Sequence, residues 1–385
     1  MRKVLICCLL LVVSLAITGT VQAEQMRRYV DAPVEVALVY PPGDICKTCH
    51  IDASRDWRAS LHKGSLTANV EGFATYINSL ETDPVKKARV EAGGLRPEML
   101  KCFSCHAPML EVASESLMRD IVNDIKTAAR RDTYSGKMAL RKLESYNVSC
   151  YTCHNLKAVP PPDGTDGSVF VYGPTAVGRS PFHGTKKGEY LADAGFCAQC
   201  HGVATAPDGE KLQCSTVSAS YKDEYLAGGG KETCQDCHMR KAKRGHKTPG
   251  SDDPEMLKEG IGLNMNAQPV KGKKAADITV ELVNNAGHRI PGSWMWTTKV
   301  VLELTAKDQQ GKLLWSASKE YFKPKNQKGK AAKDTSLAIG KTQEKFRASL
   351  GKASGDVKLE ANLTYVHAKA DQKTLIHTAK QALKL

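Results

Sequence analysis

Long apolar runs are almost missing from these 385 residues. The one present spans Val4 to Ile17, behind Arg2 and Lys3 and ahead of the small-residue end Val21-Gln22-Ala23. It is too short for a membrane span and has the layout of an export signal, 1–23, cleaved before Glu24. No stable membrane span is expected after that cleavage. Aromatic residues are scarce, at 6%, and residues 44–250 hold few runs that alternate as strands do. A sheet-built core of aromatic and branched side chains is therefore excluded there, and another apolar body has to supply it. Scattered cysteine is missing too. Of 13, Cys7 and Cys8 lie in the export segment, ten obey one repeated pattern, and Cys214 alone is left over. Cys7 and Cys8 open the apolar run instead of following it, which argues against a lipid anchor. Cys214 reads as a buried or chemically silent thiol.

The repeated pattern is Cys-x-x-Cys-His. It stands at Cys46/Cys49/His50, Cys102/Cys105/His106, Cys150/Cys153/His154, Cys197/Cys200/His201 and Cys234/Cys237/His238. Composition alone would give roughly 0.01 copies in a chain of this length. Two thiols three positions apart on a helical turn can each add to one vinyl group of the same porphyrin, and the next residue then offers an imidazole to the iron. Each copy thus reads as a covalent haem c site with its proximal ligand, five in all. A zinc ribbon would not need His after every second Cys, and a redox dithiol does not recur five times without its strand-and-helix setting.

Charge follows the same logic. The formal net charge is +14, and +12 without Arg2 and Lys3. Five ferric haems with ionised propionates bring about −1 each and ferrous ones about −2, so the loaded protein sits near +7 oxidised and near +2 reduced. The basic excess offsets propionates, and nucleic acid is not an expected partner. Haem c is attached outside the cytoplasm, so motifs and export signal agree on the periplasm, with an outer-surface or extracellular place as the second expectation.

Residues 24–270 are expected to form a mostly α and irregular pentahaem cytochrome c domain. Asp83-Pro84 should start a helix that Gly93-Gly94 closes. Leu110 to Tyr146 reads as one or two amphipathic helices, with Leu117, Ile121 and Ile125 on one face and a break at Ser135-Gly136. Pro160-Pro161-Pro162, with Asp163-Gly164 and Asp166-Gly167, makes a loop. Residues 271–385 change to period two at Ile278/Val280/Leu282, Val300/Leu302/Leu304, Leu313/Trp315 and Val357/Leu359/Ala361/Leu363/Tyr365, which predicts a small antiparallel β-sandwich. Ten Lys and Arg within 319–352 read as a solvated loop between strands, ahead of a docking face for an acidic partner.

Five proximal histidines leave six: His62, His183, His246, His288, His367 and His377. A second imidazole makes an iron low-spin and closed to substrate, while an open position makes it a potential catalyst. The count is that of a nearly complete wire. Trp57-Arg58-Ala59-Ser60-Leu61-His62 resembles the Trp-x-x-Ser-x-His stretch after the first haem motif in cytochromes related to the nitrifiers' tetrahaem cytochrome c. Ser180-Pro181-Phe182-His183 and His246-Lys247-Thr248-Pro249-Gly250 look like segments of that wider group. Gly287-His288-Arg289-Ile290-Pro291-Gly292 is similar to the Gly-His-x-x-Pro-x-Gly turn of the β-domain in periplasmic polyhaem cytochromes of metal-reducing bacteria. The resemblance implies that His62, His183, His246 and His288 are distal iron ligands.

The fifth iron stays open at this level. His367 continues the parity of Val357 to Tyr365 and is a weak candidate, equally explained as a core histidine. His377 sits in a tail without a clear pattern. Met109, Met118 and Met239 could ligate, although packing is the commoner role of Met. The expectation is an electron carrier working between redox partner proteins, such as donor and acceptor cytochromes or quinol-linked reductases, in anaerobic respiration. A nitrite- or hydroxylamine-type reductase is the enzyme alternative. The pentahaem nitrite reductases, however, use a Cys-x-x-Cys-Lys haem that this chain lacks. A subunit of an extracellular cytochrome filament or conduit is the structural alternative.

Overall fold

The computed structural model describes residues 29–384 apart from 42, 159–169, 175–179, 181, 206–210, 214, 216, 293–297, 324–332, 352, 354 and 369–371. The export segment, Cys214 and the Pro160–Pro162 loop lie outside the described residues. No helix among those described is long and apolar enough to cross a membrane. The chain divides into two compact units. One takes in residues up to Cys49, His62–Tyr172 and Gly178–Lys186; the other takes in His50–Leu61, Gly173–Val177 and Lys187–Leu385. The division falls inside the first motif, between Cys49 and His50.

The first unit is helical: α1 Pro33–Val39, α3 Val70–Thr82, α4 Pro84–Gly93, α5 Leu95–His106, α6 Glu115–Ala128 and α7 Tyr134–Leu143, with α2, Ile51–Arg58, belonging to the other unit. Helix α4 begins and ends where Asp83-Pro84 and Gly93-Gly94 put it. The Asp83 carboxylate accepts from the Val85 and Lys86 amides, and Gly94 turns out of the helix at φ +89°. Helix α5 lacks a side-chain cap of its own. The Glu115 carboxylate reaches across from α6 to take the Leu95 and Arg96 amides, each at 2.8 Å. Leu117, Ile121 and Ile125 of α6 are buried against Phe73, Ile77, Met99, Phe103 and Leu143 in one apolar cluster.

The break between α6 and α7 comes earlier than Ser135-Gly136, which lies inside α7. The interruption is at Ala129–Thr133. Thr133 caps α7 through its hydroxyl to the Gly136 amide, and the helix start sits so close to Arg130 that a Cβ at 136 would be 2.0 Å from that carbonyl oxygen. Gly136 therefore marks a close approach and not the break itself.

The second unit carries short helices α8 Ala194–His201, α9 Val217–Ser220 and α10 Pro254–Gly260, then two antiparallel sheets. Strands β1 Phe170–Gly173, β2 Gly184–Lys187, β3 Val203–Thr205 and β4 Lys211–Gln213 form two small pairs earlier in the chain. The larger sheets comprise β5 Ile261–Pro269, β6 Ala275–Asn284 and β9 Gly340–Ser349 in the order β5-β6-β9, and β7 Lys299–Lys307, β8 Leu313–Tyr321, β10 Val357–Val366 and β11 Lys373–Leu383 in the order β11-β10-β7-β8. Ile278, Val280 and Leu282 of β6 join Val300, Leu302 and Leu304 of β7 and Leu359, Ala361 and Leu363 of β10 in one buried cluster. Every second residue of these strands is inward, as the period-two reading requires.

Three sequence expectations are corrected here. Strand β5 lies ahead of residue 271, so the turn holding His288 follows the second strand of this part, not the first. The basic stretch 319–352 contains strand β9 and the end of β8, so it is not simply a loop. Three of its ten basic residues are paired across strands: Lys319 with Glu344 at 2.7 Å, Lys341 with Glu281 at 3.2 Å and Arg347 with Asp277 at 2.7 Å. His377, finally, lies within β11.

Candidate haem-binding sites

The five motifs sit on tight turns of three kinds. The first begins inside a 3₁₀ turn at Gly43–Thr48; the second and fourth close α5 and α8; the third and fifth fall on wide π-turns at Thr152–Leu156 and Asp236–Arg240. In the fourth, Cys197 and Cys200 lie one turn apart on α8 and His201 is its last residue, the helical spacing that attachment of one porphyrin requires. Cys200 is half-buried, as are Cys105, Cys153 and Cys237 at the same position of their motifs, while Cys49 is exposed. None of the ten motif cysteines is in a disulfide. Among the described residues no three His, Cys, Asp or Glu side chains converge as they would around a bare metal ion, so Cys200 and the other motif thiols are not grouped as zinc ligands.

First cysteines of different motifs come together in pairs. Cys46 and Cys150 are hydrogen-bonded thiols, a contact that draws Cys46 down to about 7 and pushes Cys150 up. In the second unit Cys197 does the same to Cys234, which is lowered. Attachment points of motifs one and three, and of four and five, are thus adjacent.

Five of these imidazoles are held by Nδ1, which leaves Nε2 as the atom available to a metal. His106 Nδ1 donates to the Ser65 carbonyl at 2.8 Å, His154 to Tyr172 at 2.7 Å and His238 to Pro249 at 2.7 Å. His288 donates to its neighbour Arg289 at 2.9 Å, and His183 to Gly184 at 3.3 Å. A backbone carbonyl on Nδ1 fixes the tautomer and orients the ring, the usual support of a metal-bound histidine. Burial lowers the proton affinity of both His106 and His288, which favours the neutral, ligating form.

His238 and His288 are brought together, with ring centroids 6.4 Å apart and planes 11° from parallel. An iron held by two imidazole nitrogens at about 2 Å each would separate the centroids by roughly 6 Å. The turn bearing His288 is anchored at several points. Asn284 Nδ2 donates to the His288 carbonyl at 3.0 Å, the Arg289 amide donates to Ser220 Oγ at 3.1 Å, and the Arg289 guanidinium pairs with Glu224. Two buried polar atoms have no partner among the described residues, Ser54 Oγ and Gln235 Oε1. Gln235 lies between Cys234 and Cys237, and Ser54 is four residues past His50. The spacing of His238 and His288 and these two orphaned atoms beside motifs fit a bulky cofactor at the motifs.

His246 sits on a 3₁₀ turn, Gly245–Lys247, that packs on α2 directly after His50. Gly245 is left-handed, φ +56°, and a Cβ there would come within 2.7 Å of the Asp56 carboxylate. His62 is on the Leu61–Gly64 turn, and Ser65, next after that turn, bonds to the second and third motif regions together: its hydroxyl donates to the His106 carbonyl and accepts from the Val148 amide, both at 2.8 Å. His183 lies just ahead of β2, beside the β1 strand whose Tyr172 carbonyl holds His154.

His367 differs. Its Nε2 is 2.9 Å from Thr374 Oγ1 and its ring packs on Tyr365 at 5.0 Å. His377 Nε2 lies 3.2 Å from the Lys258 carbonyl. Met109 and Met118 are buried in the helical core, while Met239 lies on the π-turn of the fifth motif. The ring beside His106 is Phe73, edge-on at 5.1 Å.

Sequence reasoning missed the cysteine pairs and the buried cluster of Tyr76, Glu98 and Lys101 next to Cys102. A Glu and a Lys three apart just before a motif were the available signal.

A penta-heme cytochrome c552 from Thermochromatium tepidum superposes with a TM-score of 0.58 at 19% identity, covering 89% of this chain and 99% of that chain. The fold is that of a multihaem cytochrome. Other solved structures are similar over about a third of the chain. The C-terminal domain of wzt (TM-score 0.22, 14% identity, 32% of this chain and 72% of that one) and a beta-glucuronidase from glycoside hydrolase family 2 (TM-score 0.19, 16% identity, 32% and 11%) are two, and neither likeness bears on the function of this cytochrome-like chain. No family model and no curated protein matches it.

Proposed function

We propose that the chain is an exported pentahaem c-type cytochrome that passes electrons between redox partner proteins. The observation that carries this reading is the His238–His288 pair, whose spacing suits two axial ligands on one iron. Haem supplies the one-electron couple; the polypeptide supplies the ligands, spacing and burial that set where electrons rest. On this reading the ten motif cysteines, from Cys46 to Cys237 and with Cys200 among them, carry the thioether bonds. His50, His106, His154, His201 and His238 are proximal ligands, and His288 caps the fifth haem from the C-terminal sheets, which act as a sandwich-like lid. Packing of α2 on the Gly245–Lys247 turn supports His246 as the distal ligand of the first haem. His62 and His183 serve two others. His367 is held by Thr374, so one of the remaining haems has no distal histidine on this reading.

The paired first cysteines, Cys46 with Cys150 and Cys197 with Cys234, support two couples of neighbouring haems, the spacing a relay needs. A periplasmic relay in anaerobic respiration is the setting we favour. The engagement of His367 with Thr374, which leaves four distal histidines for five motifs, favours one second reading, in which the remaining haem binds a small exogenous ligand and the chain is a reductase. The test is the spin state of the as-isolated protein together with its redox titration. Four low-spin haems, stepwise one-electron reduction and negligible nitrite or hydroxylamine turnover support the carrier; rapid turnover of either substrate overturns it.

A further inference from the structure

Most ion pairs among the described residues lie in water, such as Arg55 with Asp52, whose side chains are 67% and 84% exposed. Glu98 and Lys101 do not. The Lys101 ammonium is 3.2 Å from Glu98 Oε1, and the two side chains are 4% and 5% exposed. Arg89 reaches the other carboxylate oxygen, Oε2, at 3.2 Å, and the Tyr76 hydroxyl donates to that same oxygen at 3.3 Å. Lys86 lies over the Tyr76 ring at 5.2 Å. Burial, then the charges of Cys102 and Glu98, push the Tyr76 phenol far above its ordinary value, so it stays a donor.

Burying such a pair costs desolvation that a hydrophobic pair of the same volume would avoid, so stability alone is a poor reason for it. Its position offers another. Lys101 immediately precedes Cys102, and Glu98 lies one helical turn before Cys102 on the same face of α5. Charges this close to a cofactor and shielded from water act on it at low effective dielectric. Reduction adds a negative charge at the iron, which Lys101 and Arg89 favour and Glu98 opposes.

We infer that the buried Glu98–Lys101 pair, trimmed by Arg89 and Tyr76, sets the reduction potential of the haem carried by Cys102 and Cys105. This rests on the pentahaem reading. The experiment is potentiometric titration of the full-length holoprotein, with peptide mass mapping of each motif. Lys101→Met and Arg89→Gln should move one and the same one-electron step to lower potential, while Glu98→Gln moves that step higher and the remaining steps hold. Tyr76→Phe should lower it by less, because the carboxylate then loses a donor, and Lys101→Arg should keep the original value. If Lys101→Met does not fold, the opposed shifts of Arg89→Gln and Glu98→Gln carry the test, since Arg89 is 40% exposed. The inference is overturned if opposite charge changes shift the step in the same direction, if all steps shift together, or if none does. An unmodified Cys102–Cys105 peptide in the parent protein would instead reject the pentahaem reading, a result the mass map separates from the others.

Discussion

His238 and His288 stand 50 positions apart in sequence and 6.4 Å apart between ring centroids, each with Nδ1 tied to a backbone carbonyl. His288→Ala removes one side of that pair only. It is expected to convert one haem from low-spin to high-spin and to open it to carbon monoxide or cyanide. Electron paramagnetic resonance of the variant checks this, and an unchanged low-spin spectrum would reject His288 as a ligand.

The motifs stand out because covalent haem attachment would fix residue types at fixed spacing, and α4 was legible because Asp83, Pro84 and Gly94 each act locally. Strand β9 was not. Its inward residues are Thr342, Glu344, Phe346 and Ala348, so the apolar alternation is interrupted by a carboxylate that is only 15% exposed and is satisfied by Lys319 and Tyr321 from β8. A period-two search sees a charged stretch, because what makes it a strand is its partner. The pairing of Cys46 with Cys150 was invisible for the same reason: it joins motifs across 104 positions and leaves no local mark.

Mass spectrometry of the mature protein, made with an intact haem-attachment system, is expected to find an N-terminus near Glu24 and five covalent haem additions. Fewer than five would remove the count on which the relay depends.

Gly245→Ala is expected to destabilise the protein by about 1–3 kcal/mol, since it forces a side chain into a left-handed conformation and against Asp56. Thermal unfolding measures the loss. If His246 caps the first haem, the same variant should also raise the high-spin fraction. A loss of stability with no change of spin state would separate His246 from ligation.

Acid should loosen the C-terminal sheets in a defined window. Asp277 is held below its ordinary value of 3.8 by its hydrogen bond to Arg347, and Glu360 below 4.5 first by Asn362 and then by Lys380. Depressed carboxylates stabilise the folded state above their unfolded values and lose that contribution as pH falls through the folded ones, so the decline should begin near pH ~4.5 and continue below it. Asp277 is exposed and Glu360 about a third exposed, so the effect is small. Melting temperatures from pH 6 to pH 3 should fall less steeply in Asp277→Asn with Glu360→Gln than in the parent, and parallel curves would remove these two carboxylates from the acid response.

Carrier and reductase are separated by what the haem left without a distal histidine does with a small ligand. His238 has His288 opposite it, and His367 is engaged with Thr374, so four distal histidines face five motifs. The as-isolated protein is therefore expected to be predominantly low-spin, with one haem able to take carbon monoxide. Binding by itself is not turnover. Reduction of nitrite or hydroxylamine also needs proton donors next to the iron, and the phenol and ammonium closest to Cys102 are engaged with Glu98. Steady-state assays with a strong electron donor should then show negligible consumption of either substrate, alongside fast electron exchange with small redox proteins. Rapid turnover that carbon monoxide abolishes in step with its binding would overturn the carrier reading and make that haem an active site.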